Sequence, residues 1–108
     1  MNVSELKEKL GLTQVAGTDA GEVSGCYIGD LMSLAMARLE EGNVWITIQT
    51  NLNVVAVAAL KEAGCVILAD GAEPDADAKA KAEAEGIPIL VSKKSAYTLA
   101  KELGALSV

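Results

Sequence analysis

From residue 44 onward the chain alternates between short, continuously apolar runs and longer stretches with helical spacing. "NVWITIQ" is a β-branched and aromatic run, which predicts a buried strand. "CVILAD" is apolar without alternation, as expected of a strand covered on both faces. "IPILV" predicts a third such strand and "VSGCYIG", upstream, a fourth. Before these, "TQVAG" is a short extended piece and "TDAGE" is a loop rich in turn formers.

Helical patterns fill the spaces between. "VSELKEKLGL" predicts a first helix, with Ser4 as N-cap, Leu6 and Leu10 on one face and Gly11 as its stop. Asp30 is expected to cap "LMSLAMARLEEG", where Leu31, Leu34, Ala35 and Leu39 follow helical spacing and Gly42 ends the helix. Met32 and Met36 form a second stripe, either core filler or an adaptable contact surface. "LNVVAVAALKEAG" contains strand-favouring Val54, Val55 and Val57, but its length, its alanines and Gly64 predict a helix, the most buried one.

"PDADAKAKAEAEG" places alanine at every second position from Ala76 to Ala84, which imitates a strand. Ala, Lys and Glu are strong helix formers, and Asp75–Lys79 and Asp77–Lys81 suit i,i+4 pairing, so a helix is expected. "SAYTLAKELGAL" predicts a last helix with Tyr97, Ala100, Leu103 and Leu106 turned inward. Strands and helices alternating from residue 22 predict βαβ units with right-handed crossovers. The fold class is therefore α/β: a single three-layer, Rossmann-like domain over residues 1–108, with a mostly parallel sheet flanked by helices.

Composition narrows the function. At 108 residues, 51% apolar with no Phe, the chain supports one aliphatic core, and the apolar excess favours subunit contact. A net charge of −6 disfavours nucleic acid and anionic membrane surfaces as partners. With two cysteines, Cys26 and Cys65, and no His, no zinc-ligand set can be assembled, and both thiols are expected to be buried in strands. There is no signal-peptide pattern and no apolar run of ~18–20 residues, so the expectation is a cytoplasmic protein.

In an open α/β sheet, ligands bind beyond the carboxyl ends of the strands. Those ends give four clusters: Gly29-Asp30; Gln49-Thr50-Asn51 with Asn53; Asp70-Gly71; and Ser92-Lys93-Lys94-Ser95. In the second, neutral amide and hydroxyl groups precede an apolar helix, a setting suited to a phosphate or a base edge, or simply to capping that helix. Lys93 and Lys94 form the one adjacent basic pair, read as a phosphate contact or a solvated loop. Catalytic motifs are missing. The chain has no G-x-x-x-x-G-K-[ST] and no G-x-S-x-G, and Gly17, Gly21 and Gly25, spaced by four, do not match G-x-G-x-x-G. Without His the usual nucleophile–base pair is also lacking.

At "SGCYIGDLMS", "NVWITIQTNLNVVAVAALKEAG" and "EGIPILVS" the chain resembles stand-alone DRTGG-domain proteins, over a span from Val3 to the last helix. The literal Asp-Arg-Thr-Gly-Gly signature is absent. The nearest stretch, "EVSGCYIGD", keeps Gly25 and carries Cys26 where a second glycine would stand, and a side chain there restricts the backbone and its approach to a ligand. The resemblance implies a compact α/β module, often dimeric, similar to the amino-terminal domain of HPr kinase/phosphorylase. Related modules occur beside CBS domains in regulated pyrophosphatases, where the pair binds adenine nucleotides, and within some phosphotransacetylases. It does not imply kinase activity, because the phosphate loop is missing and fold analogy does not carry activity.

The expected function is a non-catalytic regulatory or sensor module, with no metal or resident cofactor. It would bind an adenine nucleotide or similar anionic metabolite at the C-terminal edge of its sheet and act as a homodimer. The alternative is a pure interaction module, whose apolar Tyr27, Met32 and Met36 dock a partner protein from a metabolic or redox complex. An enzyme with a carboxylate site at Asp30 or Asp70 is a third reading.

Overall fold

The structure, a computed structural model, describes residues 1–19 and 21–108; Ala20, in the expected "TDAGE" loop, lies outside the described residues. Along the chain run α1 (Val3–Leu10), β1 (Thr13–Ala16), β2 (Cys26–Ile28), α2 (Met32–Arg38), β3 (Val44–Thr47), α3 (Leu52–Leu60), β4 (Cys65–Leu68), α4 (Ala76–Glu85), β5 (Ile89–Val91) and α5 (Ala96–Ala105). One sheet of order β1-β5-β4-β3-β2 holds all the strands. β2 to β5 run parallel, and β1 closes the far edge antiparallel to β5. The expected three-layer, mostly parallel architecture is the one found.

The continuous apolar runs are explained by two cores, one on each face. Trp45, Val66, Leu68 and Ile89 point to a core completed by α2, α3 and α4, with Ala35, Val54, Val55, Ala78 and Ala82 among its members. Val44, Ile46, Cys65, Ile67 and Leu90 point the other way, onto Val3, Leu6 and Leu10 of α1 and Leu99 and Leu103 of α5. Every residue of β3 and β4 is buried, as a central strand between two helical layers requires. In α4 the buried alanines are Ala78 and Ala82, one turn apart, so helical spacing holds in spite of the strand-like alternation.

Several local expectations are corrected. α1 is capped by Asn2, not Ser4: the Asn2 side chain accepts from the Glu5 N–H at 2.8 Å, and the Glu5 carboxylate accepts from the Asn2 N–H at 3.3 Å. Only Asn2 has the acidic residue three positions on that this reciprocal box needs. The strand expected across "VSGCYIG" is confined to Cys26–Ile28. α2 stops at Leu39, whose extended backbone breaks the helix before Gly42. It leans chiefly on α3, with Ala35, Leu39 and half-buried Met32 packed inward, while Leu31 (60% exposed) and Leu34 face outward.

Tyr97 is 77% exposed rather than inward. The inner stripe of α5 runs through Ala96, Leu99, Leu103 and Leu106, and a residue two positions from Leu99 falls on the opposite side of a helix. The ion pair on α4 is Lys81–Glu85, at 3.5 Å, in place of the two Asp–Lys pairs. Asp77 instead accepts from the Ala78 N–H, and Asp75 turns toward Thr50. Cys26 is exposed because β2 is the edge strand, whereas Cys65 is buried in β4.

Candidate functional site

Because β2 to β5 are parallel neighbours, their carboxyl ends fall along one rim. The four clusters line up there in the order Ser92-Lys93, Asp70-Gly71, Gln49-Thr50-Asn51, Gly29-Asp30. Many of their polar groups are already engaged within the chain.

At the β2 end, Asp30 does not cap α2; Leu31 holds the N-cap position, with no side-chain cap, and the helix begins at Met32. The Asp30 carboxylate Oδ1 accepts instead from the Thr47 hydroxyl at 2.8 Å and the Ile48 N–H at 2.9 Å, tying the ends of β2 and β3 together. The Trp45 indole reinforces the tie by donating to the Gly29 carbonyl at 3.0 Å. In the middle of the rim, Asn51 caps α3, accepting from the Asn53 N–H at 2.9 Å, and its amide donates to Gln49 at 3.4 Å. The Thr50 hydroxyl donates to Asp75 at 3.1 Å, and the Asp75 N–H donates to the Thr50 carbonyl at 2.9 Å.

That reciprocal pair pins the start of α4 across the turn between β3 and α3. Beneath it Gln49, Thr50, Asn51 and Pro74 line a void of about 10 Å³, at the lower limit of what holds one water. The middle of the rim is closed by the chain's own loop before α4.

The β5 end differs. The Asp70 N–H donates to the Lys94 carbonyl and the Gly71 N–H to the Ser92 carbonyl, both at 2.9 Å, so the two loops are zipped together. Lys94 is committed elsewhere: its ammonium donates to both Glu102 oxygens, at 2.7 and 2.9 Å, and to the Leu10 carbonyl at 3.0 Å. Beside these loops lies a cavity of about 500 Å³, within the usual range for small-molecule sites. Gly71, Ser92 and Lys93 line it, together with Glu73 and the aliphatic Val15 and Val91. Lys93 is exposed and takes part in none of the ion pairs among the described residues. Gly29, Asp30, Asn53 and Asp70 line neither of these two cavities.

Sequence reasoning did not find the Thr13–Val15 wall of this cavity, since β1 joins the sheet through a pairing with β5 that leaves no local signature. It also missed Asn43. This buried side chain accepts from the Glu40 N–H at 2.9 Å and donates to the Ser24 carbonyl at 2.8 Å, fixing the approach to β2. Gly25 stands beside it with φ +74°, so the retained glycine is the one whose backbone needs it, and Cys26 follows in an ordinary strand conformation.

A further cavity, of about 570 Å³, opens at the amino ends of the strands. Glu22, Glu41 and Glu62 line it, a charge that opposes an anionic ligand. No cluster of His, Cys, Asp and Glu able to hold a metal ion is found among the described residues. Nor is any described helix long and apolar enough to cross a membrane.

The DRTGG-domain family model matches residues 5–106. Among solved structures, the chain is similar to the CBS and DRTGG domains of the regulatory region of Clostridium perfringens pyrophosphatase, a structure complexed with its activator, diadenosine tetraphosphate. The TM-score is 0.71 at 10% identity, and the match covers 94% of this chain but 45% of that one. At that identity the likeness shows the fold. No curated protein matches the sequence.

Proposed function

The chain belongs to the DRTGG-domain family, and from that premise we propose that it is a non-catalytic regulatory module. It binds an adenine nucleotide or a similar anionic metabolite at the C-terminal edge of its sheet and acts as a homodimer. The observation that carries this reading is the 500 Å³ cavity at the β5 end of the rim. Its aliphatic wall suits an adenosine moiety, and Lys93 is free to meet a phosphate. Gly71, Ser92 and Lys93 are the proposed contacts. Gln49, Thr50, Asn51, Asn53, Asp30, Gly29 and Asp70 hold the rim in shape. The pyrophosphatase regulatory region supports the reading, as a protein of this fold crystallised with an adenine-nucleotide activator. Kinship to the amino-terminal domain of HPr kinase/phosphorylase and a cytoplasmic setting belong to the same proposal.

Thermal shift with ATP, AMP and diadenosine polyphosphates tests it. A ligand present at ten times its Kd should stabilise the fold by about 1.4 kcal/mol, a rise of several degrees. Lys93→Glu should weaken that response at least tenfold while leaving the unliganded melt unchanged. Absence of any shift at millimolar ligand would refute nucleotide binding.

A further inference from the structure

The two edges of the sheet are finished differently. β1 carries a register shift between Gln14 and Ala16, and Gln14 bonds to the Lys7 ammonium and to the carbonyls of Ala16 and Gly17. A bulge with side chains folded over it protects an edge from further pairing. β2 has neither a bulge nor a charged side chain.

The register fixes which groups of β2 are free. Val44 donates to the Gly25 carbonyl and Gly29 donates to the Ile46 carbonyl, so Gly25, Tyr27 and Gly29 turn their backbone groups toward β3. Those of Cys26 and Ile28 must point outward, and among the described residues no other backbone or side chain pairs with them. Their side chains are exposed as well, Ile28 at 46%. Ile48 (50% exposed) lies just past the adjoining strand, and Leu31 and Leu34 follow on the next helix.

We infer that β2 is a self-pairing edge: two copies of the chain join β2 to β2 antiparallel about a two-fold axis, with Cys26 opposite Ile28 of the second copy. This deepens the homodimeric part of the proposed function and does not depend on the ligand. The second copy is favoured as occupant on charge and on geometry. On a chain of net charge −6 the strand and its exposed apolar neighbours are uncharged, so two copies meet here without opposing carboxylates. A strand with outward groups at two positions is its own complement under a two-fold, and in this register all four outward groups of each copy are satisfied.

Shifting the axis onto Cys26 would set Ile28 against Ser24. The Ser24 N–H already donates to the Gly42 carbonyl, and its own carbonyl already accepts from Asn43. A standard interface covers about 800 Å² per partner, roughly a seventh of this chain's 5362 Å². The strand alone falls short of that area, so the exposed Ile48, Leu31 and Leu34 in the segments next to it in sequence or register would have to contribute.

The test is the mass in solution together with directed cross-linking. The wild-type chain should run at twice 11.1 kDa in light scattering. In Ile28→Cys, each introduced thiol would face Cys26 of the other copy across a hydrogen-bonded pair, with Cα atoms ~5.5 Å apart, within the range a disulfide spans. Oxidation should therefore give a covalent dimer that Cys26→Ser in the same chain abolishes. Wild type should not cross-link, because diagonal positions lie ~7–8 Å apart. Ile28→Lys should weaken association roughly tenfold or more with an unchanged circular-dichroism spectrum.

A monomeric wild type would overturn both this inference and the dimeric reading. A dimer that survives Ile28→Lys, with no cross-link in Ile28→Cys, would overturn the edge alone. Cross-linking of wild type, or of Ile28→Cys lacking Cys26, would overturn the register. A ligand response in the thermal-shift screen would stand through any of these.

Discussion

Asp30 is the residue on which a structural role and a ligand-binding role part most sharply, and Asp30→Ala separates them. Its carboxylate accepts two hydrogen bonds, from Thr47 and Ile48, that join the ends of two strands. Bonds to a charged acceptor contribute about 1.5–3 kcal/mol each when buried, and less here because Asp30 itself is exposed. Thr47 is 2% exposed, so losing its partner leaves a buried hydroxyl that keeps only the Gln49 N–H. Together these give an expected loss of about 2–3 kcal/mol, against a total of ~5–15 kcal/mol for a domain of this size.

Urea denaturation should show it as a midpoint lowered by roughly 1 M, with a Tm lower by about 10 °C. Asp30→Asn keeps the accepting oxygen and should lose about 1 kcal/mol. Thr47→Val should cost less in the Asp30→Ala background than in wild type, by about 1 kcal/mol, because the two groups share one bond. If Asp30→Ala stayed within ~0.5 kcal/mol of wild type, as an uncommitted surface side chain does, the carboxylate would not be bracing the rim. It would then be free to face a ligand.

Two further outcomes follow from backbone and thiol geometry. Gly17 has φ +79°, and a Cβ there would overlap the Ile87 carbonyl, so Gly17→Ala should cost at least about 3 kcal/mol, read as a large fall in urea midpoint. Burial first, and then proximity to Cys26, pushes the Cys65 thiol up to about 12 from 9.0. The thiol stays neutral in the folded chain but ionises near 9 in the unfolded one, so its contribution is intact below pH 9 and declines above it, by about 1.4 kcal/mol per unit toward 12. Stability measured from pH 9 to 10 should fall less steeply in Cys65→Ala than in wild type; equal slopes would mean that the thiol is not desolvated.

The fold was legible where burial alone decides structure. β3 and β4 are apolar at every position because both faces are covered, and no helix of that length could be placed in "CVIL". The alanine-rich segment was legible for a different reason: helix propensity outweighs a period that only methyl groups enforce. What escaped depends on partners distant in sequence. Asp30 sits where a cap belongs and has a capping side chain, yet a hydroxyl and an N–H on the next strand hold it.

The inner face of α5 was misread because Tyr97 is apolar in composition but lies on the side away from Leu99. That the four clusters share one rim was legible, because alternating strands and helices imply parallel strands; their order along it is set by long-range pairing. Their occupancy did not follow, because Thr50 meets Asp75 across 25 positions and no local pattern encodes that meeting.

The cavity and the free edge lie at opposite ends of the sheet, and that separation constrains how the module could regulate anything. Between Lys93 beyond β5 and Ile28 on β2 stand β4 and β3, every residue of both buried, at ~4.8 Å per strand. A close-packed layer of this kind does not deform continuously, so coupling between its two ends needs a second, discrete packing of β3 and β4. Without one, a nucleotide beside Lys93 would bind monomer and dimer equally and shift the equilibrium between them by nothing, however tightly it bound. Regulation would then require that the bound ligand itself touch a partner, or that ligand and second copy act on different clients. The β5 loops offer the first route. Lys93 and Tyr97 are both exposed within a few residues of the cavity, on the side away from β2, where a bound ligand and the protein surface around it could be read together.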